Sequence, residues 1–248
     1  MMIVKRFFRN RKATIPQGER VVNDSMFASR RDITEVVIPE GVTTIGSSAF
    51  EFCTNLTSCV IPESVVAIES FAFMGCTRLA EVKLPKNLRH IGIGAFKCSG
   101  LEKVSLPGGL TKISDYTFFA CRELKVVDFE NPSQIETIGE RAYEYCSQIE
   151  EVVIPEKVKL IGEGAFENCV SLRNVVFPGS LMMVGDFAFM GCEHLGQIDI
   201  PASVRVVGDM CFNDCRRLSL VSIQKRSRSI GEFAFGKDAV ILSVGTAK

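Results

Sequence analysis

The chain has 248 residues, of which 46% are hydrophobic, and its 29 lysines and arginines balance its 29 aspartates and glutamates. A balanced charge argues against a dedicated nucleic-acid or membrane-surface binder, which normally carries a basic excess. The composition also excludes collagen-like, coiled-coil and disordered chains, and the length is ample for a buried core.

Residues 1–15 form a basic N-terminal segment, which we expect to include a capping strand. Residues 1–31 hold eight basic and two acidic side chains, so the neutral total hides a positive end. We interpret this end as a solubilising cap, and contact with an anionic surface or an acidic neighbour is the alternative. The segment lacks the apolar stretch of a signal peptide, and no run in the chain is long enough to span a bilayer.

A repeat of about 23 residues begins at Pro16 and fills the rest of the chain. Cutting before each opening position gives ten units: 16–38, 39–61, 62–84, 85–106, 107–129, 130–154, 155–177, 178–200, 201–223 and 224–246. The unit 85–106 is one residue short and the unit 130–154 has two extra, with both changes in predicted turns. Residues 16–248 are therefore expected to form a single solenoid domain of ten repeats.

Each unit combines a strand pattern with a helix pattern. Segments such as 151–154 alternate buried and exposed positions and end at proline, which predicts short strands. In segment 163–169, Ala165, Phe166 and Cys169 recur at spacings of three and four, which predicts a helix of about two turns. A glycine follows the Ile/Val column in seven units, which indicates either a positive φ or a close backbone approach.

Stacking such units predicts an α/β repeat solenoid, right-handed, with a parallel sheet on one face and short helices on the other. One aromatic position recurs in every unit and is expected to form an internal column: Phe27, Phe50, Phe73, Phe96, Phe118, Tyr143, Phe166, Phe189, Phe212 and Phe235.

The ten cysteines indicate core packing. Eight recur once per unit, at Cys53, Cys76, Cys98, Cys121, Cys146, Cys169, Cys192 and Cys215, and Cys59 and Cys211 occupy other inward columns. Ligands on successive rungs cannot surround one zinc ion, and parallel Cβ vectors suit disulfides poorly, so we expect buried thiols. Unpaired thiols and the lack of a signal peptide favour a cytoplasmic location.

Residues 161–178, Ile-Gly-Glu-Gly-Ala-Phe-Glu-Asn-Cys-Val-Ser-Leu-Arg-Asn-Val-Val-Phe-Pro, carry a pattern that extends from Pro16 onward. This pattern resembles the BspA-like, or Treponema pallidum-type, leucine-rich repeat. The resemblance implies a leucine-rich-repeat solenoid. It also implies that the chain could be a cell-surface adhesin that binds host or matrix protein, as an alternative to a cytoplasmic scaffold.

Nothing in the sequence predicts catalysis, a metal site or a cofactor site. The two histidines, His90 and His194, lie on turns of different units, and no Walker loop, dinucleotide fingerprint, GxSxG or HExxH motif is present. We therefore predict that the protein is not an enzyme.

The outward side of the predicted sheet is the candidate binding face for a protein ligand. Its side chains vary from unit to unit over a regular core, as recognition by repeat proteins requires. The candidate residues are Val126, Asp128, Glu151, Val153, Asn174, Val176, Gln197 and Asp199. For the valines the alternative is simply that β-branched side chains suit strands.

The two ends of the repeat array carry further predictions. Arg30 in the first unit and Asp238 in the last replace the recurrent cysteine, which indicates polar caps. The strand predicted at 241–246 has little polar protection, so we predict end-to-end self-association through it as an alternative to binding of the unidentified protein ligand at that end.

Overall fold

Successive units of the chain stack as coils that are joined by parallel strands. The structure, a computed structural model, describes residues 8–9, 11–224, 229–237 and 239–244. Each coil contributes one two-residue strand to a row that we call the short strands. Every coil except 62–84, where Glu81 forms only an isolated bridge with Lys103, also contributes a strand to a second row, the front strands. Equivalent residues of neighbouring coils pair in register, as Glu151 pairs with Asn174 and Thr137 with Leu160.

The front strands hold two to five residues each. They are β1 (Phe8–Arg9), β2 (Lys12–Thr14), β4 (Glu35–Val37), β6 (Ser58–Val60), β9 (Lys103–Leu106), β11 (Val126–Phe129), β13 (Glu151–Val153), β15 (Asn174–Val176), β17 (Gln197–Ile200), β19 (Leu220–Gln224) and β21 (Val240–Val244). Every pairing among them is parallel except that of β1 with β2, which form an antiparallel hairpin at the N-terminal end.

The short strands line a second side of each coil. They are β3 (Val21–Val22), β5 (Thr44–Ile45), β7 (Ala67–Ile68), β8 (His90–Ile91), β10 (Lys112–Ile113), β12 (Thr137–Ile138), β14 (Leu160–Ile161), β16 (Met183–Val184), β18 (Val206–Val207) and β20 (Ser229–Ile230). They form a four-stranded and a six-stranded parallel ladder.

The helices expected on the opposite side are absent from the described part of the chain, and successive turns take their place. In segment 163–169 the N–H of Ala165 bonds the carbonyl three residues back, whereas the N–H of Phe166 donates to Ala188 of the next coil, 2.7 Å away. Gly164 and Asn168 have φ near 57°. A left-handed residue every four positions ends any helix before its second turn, and the freed N–H groups bond the adjacent coil.

The glycine after the short strand is required by close approach rather than by a positive φ. A Cβ on Gly162 would lie 2.8 Å from the backbone carbon of Gly139 in the preceding coil. Ser114 occupies the same column, where its hydroxyl donates to the carbonyl of Ile91 at 2.5 Å. The column therefore favours glycine, but a small polar side chain is accepted where it can bond the neighbouring coil.

The predicted aromatic column runs through the interior. Its ten rings stack face to face, with centroids of neighbours 5.1–5.7 Å apart. Most of the recurrent cysteines lie beside it, and each donates its thiol hydrogen to the carbonyl of an aromatic residue in the preceding coil, as Cys169 does to Tyr143 at 3.2 Å.

One recurrent cysteine departs from the predicted packing position. In the short unit 85–106, Ser99 occupies the buried place, 3.3 Å from the sulfur of Cys121, and Cys98 is displaced to a left-handed, partly exposed position. The missing residue follows Ser99, so counting back from Leu101 assigned the wrong side chain to the core. The other nine cysteines are buried and unpaired.

Of the two predicted polar caps, the structure describes the one at Arg30. Arg30 bonds the carboxylate of Asp32 at 2.6–2.8 Å. Asp238 lies outside the described residues, as do Gly245 and Thr246 of the predicted final strand.

Candidate functional site

The outward residues of the front strands form a surface that we call the front face. All eight candidate residues are exposed on β11, β13, β15 and β17. The inward neighbours differ sharply, since Val153 is 65% exposed and Val152 only 3%. Period-two alternation therefore assigned the outward columns correctly, and it did so because the strand pleat turns successive side chains to opposite sides.

In the part of the chain that the structure describes, pairing among the front strands is interrupted after β6, between β11 and β13 and between β15 and β17, and the interruption between β11 and β13 forms a groove. Strand β11 pairs with β9 and strand β13 pairs with β15, but no strand pairing joins β11 to β13 in the described chain. A groove of about 980 Å³ separates residues 125–133 from residues 148–157. The sequence did not reveal this groove, because the apolar columns continue unbroken through the unit 130–154.

The two-residue insertion of that unit accompanies the groove. Its loop turns towards the preceding coil, where the N–H of Gln134 donates to the carbonyl of Gly108 at 3.1 Å. A Cβ on Gly108 would lie 2.7 Å from the carbonyl oxygen of Pro132, so glycine permits this approach. The extra chain is thus accommodated beside coil 107–129, and the front strand of the next coil is left apart from it.

The groove is acidic. Five carboxylates and two lysines line it, and both lysines already have partners: Lys125 bonds Glu102 at 3.1 Å and Lys157 bonds the side-chain oxygen of Gln134 at 2.6 Å. The carboxylates of Asp128, Glu151 and Glu156 lack such a cationic partner among the described residues. The unbalanced charge of this surface is therefore negative.

The four remaining candidate residues lie beyond the groove. Asn174 and Val176 follow Glu151 and Val153 in register on β15, and Gln197 and Asp199 lie one coil further on β17. Val176 is 47% exposed. The structure thus groups half of the candidates around the groove and half along its C-terminal flank.

A charged cluster on the turn side was not anticipated from the sequence. The guanidinium of Arg141 contacts four carboxylates, those of Glu140, Glu144, Glu163 and Glu167, at 2.9–3.6 Å. Burial, and secondarily the charge of Glu144, raises the pKa of the Glu167 carboxyl, whereas hydrogen bonding to Glu144 raises the pKa of Arg141. Acidic side chains at equivalent positions of adjacent units are the signal that could have indicated this cluster.

The two histidines lie in different, non-adjacent coils and contact different residues. His90 lies 3.7 Å from Glu69, and Nδ1 of His194 lies 2.7 Å from the carbonyl oxygen of Val170. Within the described residues, no three His, Cys, Asp or Glu side chains are arranged to hold a metal ion.

The stacked parallel coils with an aromatic interior and a strand-lined face define a leucine-rich-repeat solenoid. The model of the BspA type leucine rich repeat region matches residues 20–150 and 136–245, with six copies, which shows that the chain belongs to this family. No curated protein gives a significant match to the chain.

Solved structures share the fold. A leucine-rich repeat protein from Bacteroides ovatus is 32% identical over 89% of this chain, with a TM-score of 0.81, and this chain spans 59% of its length. The leucine rich repeat protein of T. pallidum is 24% identical over 84% of this chain and 77% of its own, with a TM-score of 0.51.

A leucine rich cell surface protein from Faecalibacterium prausnitzii is 21% identical over 97% of this chain and 89% of its own, with a TM-score of 0.50. In the described part of the present chain, no helix has the length and apolar character needed to cross a membrane.

Proposed function

We propose that the protein is a non-enzymatic scaffold that presents its front face to a protein ligand. The observation that carries this proposal is the exposure of Val153 and Val176, at 65% and 47%, which pair in register on β13 and β15, while Val126 is 46% exposed on the other wall of the groove. Adjacent apolar side chains with a polar surround are typical of protein-binding surfaces. The stacked core supports the proposal, because it holds these side chains on strands rather than on loops.

A comparative pull-down tests the proposal. The wild-type chain, a Val153→Lys/Val176→Lys variant and a Val37→Lys/Val60→Lys variant are immobilised, and proteins captured from the source cells are identified by mass spectrometry. The control pair occupies the same outward column on β4 and β6. We expect a protein that is captured by the wild type and the control but lost with the first variant. Equal capture by all three chains contradicts the proposal.

A cell-surface adhesin is the second candidate function. It is supported by the description of the F. prausnitzii relative as a cell surface protein. Because that likeness carries the fold alone, location needs its own experiment: protease added to intact cells should degrade an adhesin and spare an internal scaffold.

Self-association through the last front strand is a further proposal for partners. Val240, Ile241 and Leu242 are each about half exposed, although Ile241 pairs with the buried Val221. An apolar strand at the edge of a sheet is a template for pairing with another chain. Light scattering should show mass rising with concentration, and a monomer at every concentration would refute this proposal.

A further inference from the structure

The groove between β11 and β13 has the features of an acceptor for an added strand. We propose that it binds an extended segment of a partner protein whose apolar and basic side chains alternate, and that this segment pairs with β11 on one side and β13 on the other. The inference rests on the proposed function, since it specifies how the front face recognises its protein ligand.

Backbone groups of β11 point into the groove. The N–H of Val126 donates to Glu102 at 3.4 Å and the N–H of Glu130 donates to Leu106 at 3.0 Å, both in the preceding coil. Since the hydrogen-bonding groups of successive strand residues alternate in direction, those of Val127 and Phe129 face away from β9. Their N–H and C=O groups are therefore directed at the groove.

The opposite wall presents a matching edge. The carbonyl of Glu150 accepts from Arg173 at 2.8 Å and the N–H of Ile154 donates to Val176 at 3.0 Å, so these groups of coil 130–154 face β15. By the same alternation, the backbone groups of Glu151 and Val153 face the groove. No hydrogen bond joins segments 125–129 and 150–154 in the described chain.

The coils stay joined on their other sides, so the groove opens at the front face alone. Short strands β10 and β12 pair, and the N–H of Tyr116 donates to Glu140 on the turn side at 2.8 Å. A four-residue strand such as β11 is about 13 Å long, and the volume of about 980 Å³ is ample for a segment of that length. A guest strand would thus continue the parallel order from β11 to β13 without unstacking the coils.

The side chains define the chemistry of the guest. Val127 and Phe129 are only partly buried, unlike the inward residues of β9, so apolar guest side chains that point inward would cover them. The outward guest side chains would lie beside Asp128 and Glu151, which favours lysine or arginine. The two lysines of the groove are outnumbered by its five carboxylates, and Lys125 is already paired with Glu102 at 3.1 Å.

Fluorescence anisotropy with synthetic peptides tests the inference. The probe is a labelled decapeptide of alternating lysine and valine. One comparison peptide replaces its lysines with glutamate, and a second carries N-methyl groups on alternate residues, which removes the backbone donors along one edge. Against the wild-type chain, we expect the probe to bind at least tenfold more tightly than either comparison peptide.

Protein variants locate the contact. Asp128→Lys/Glu151→Lys should weaken probe binding at least tenfold, whereas Glu35→Lys/Glu81→Lys, acidic positions of the outward column on other coils, should leave it within twofold. Circular dichroism checks that both variants fold. Equal binding of the N-methylated peptide, or equal loss with both variants, would overturn the inference.

The two proposals fail separately. If the probe does not bind but capture of a cellular protein still depends on Val153 and Val176, strand addition is refuted and the scaffold function stands. If all three chains capture the same proteins, the scaffold function fails whatever the peptides show.

Discussion

Tyr143 stacks on Phe166 with ring centroids 5.1 Å apart and an angle of 7° between the planes. Its hydroxyl is thereby carried into the core, where it is buried without a hydrogen-bond partner. Burial also raises the pKa of this phenol well above its ordinary value. Phenylalanine occupies the same place in the other nine coils, so only in this coil does an unpartnered hydroxyl in the stack lower the stability of the fold.

Tyr143→Phe should therefore raise the free energy of unfolding by about 1–2 kcal/mol, the usual cost of an unsatisfied buried hydroxyl. Urea denaturation followed by circular dichroism measures the change. Tyr145→Phe is the matched control, because that ring is 39% exposed and should be nearly neutral. A lower midpoint for Tyr143→Phe would contradict the assignment.

The partly exposed Cys98 should be the one thiol of ten that reacts in the folded protein. Nine cysteines are buried, so a chromogenic disulfide reagent should label about one equivalent quickly and the rest only after denaturation. Cys98→Ser should abolish the fast phase. A fast phase of several equivalents would show that the thiol column is open to solvent.

Stability should fall at alkaline pH because of the buried thiols. Desolvation raises the pKa of Cys53 from 9.0 to about 11 and those of Cys121 and Cys215 to about 12. The unfolded chain loses these protons first, so stability is complete below about pH 9 and declines as the pH rises towards 12. Each thiol contributes a slope of up to about 1.4 kcal/mol per pH unit.

Urea midpoints at pH 8, 9 and 10 measure this decline, and Cys121→Ala should make it shallower. A midpoint independent of pH over this interval would show that the thiols do not titrate differently in the two states.

Arg141→Gln should lower the free energy of unfolding by about 1–3 kcal/mol at pH 7, because it leaves the buried carboxylate of Glu144 and the nearly buried Glu167 without their cation. The loss should shrink as the pH falls, because burial raises the pKa of Glu167 and protonation removes its uncompensated charge. Lys159→Gln, which breaks an exposed pair with Glu136, should change little. Equal effects of the two substitutions would contradict the importance of burial.

The inward and outward assignment of the front strands has its own test. Val153→Lys with Val176→Lys should change the free energy of unfolding by about 1 kcal/mol or less, since both side chains are exposed. Val152→Lys with Val175→Lys places two charges in the core and should unfold the chain. Thermal melts compare the pairs, and similar melting temperatures would refute the assignment.

The sequence was sufficient to predict the coil length, the aromatic stack and the outward columns, because each depends on side-chain periodicity. It misled on the turn side, since Ala165, Phe166 and Cys169 are spaced as on a helix, but the N–H of Phe166 donates to the next coil instead of closing a helical turn. Left-handed positions are occupied by glycine or asparagine in some coils but by Phe71 or Arg141 in others, so composition hides them.

The groove was missed for a different physical reason. The insertion in unit 130–154 leaves every apolar column in place, and side-chain pattern does not report whether adjacent backbones remain within hydrogen-bonding distance. Asp128 and Glu151 were therefore predicted as members of a continuous face, although the structure places them on opposite walls.

Because the coils stack in register, a whole coil can be deleted or inserted as one unit. Removing residues 155–177 would bring Ile154 directly before Pro178. Each residue of the aromatic stack and of the short strands would then lie next to the equivalent residue of the following coil. The array can thus lengthen or shorten by whole coils with no redesign of its interior. Coil 130–154 is the exception, because its loss would erase the groove between β11 and β13.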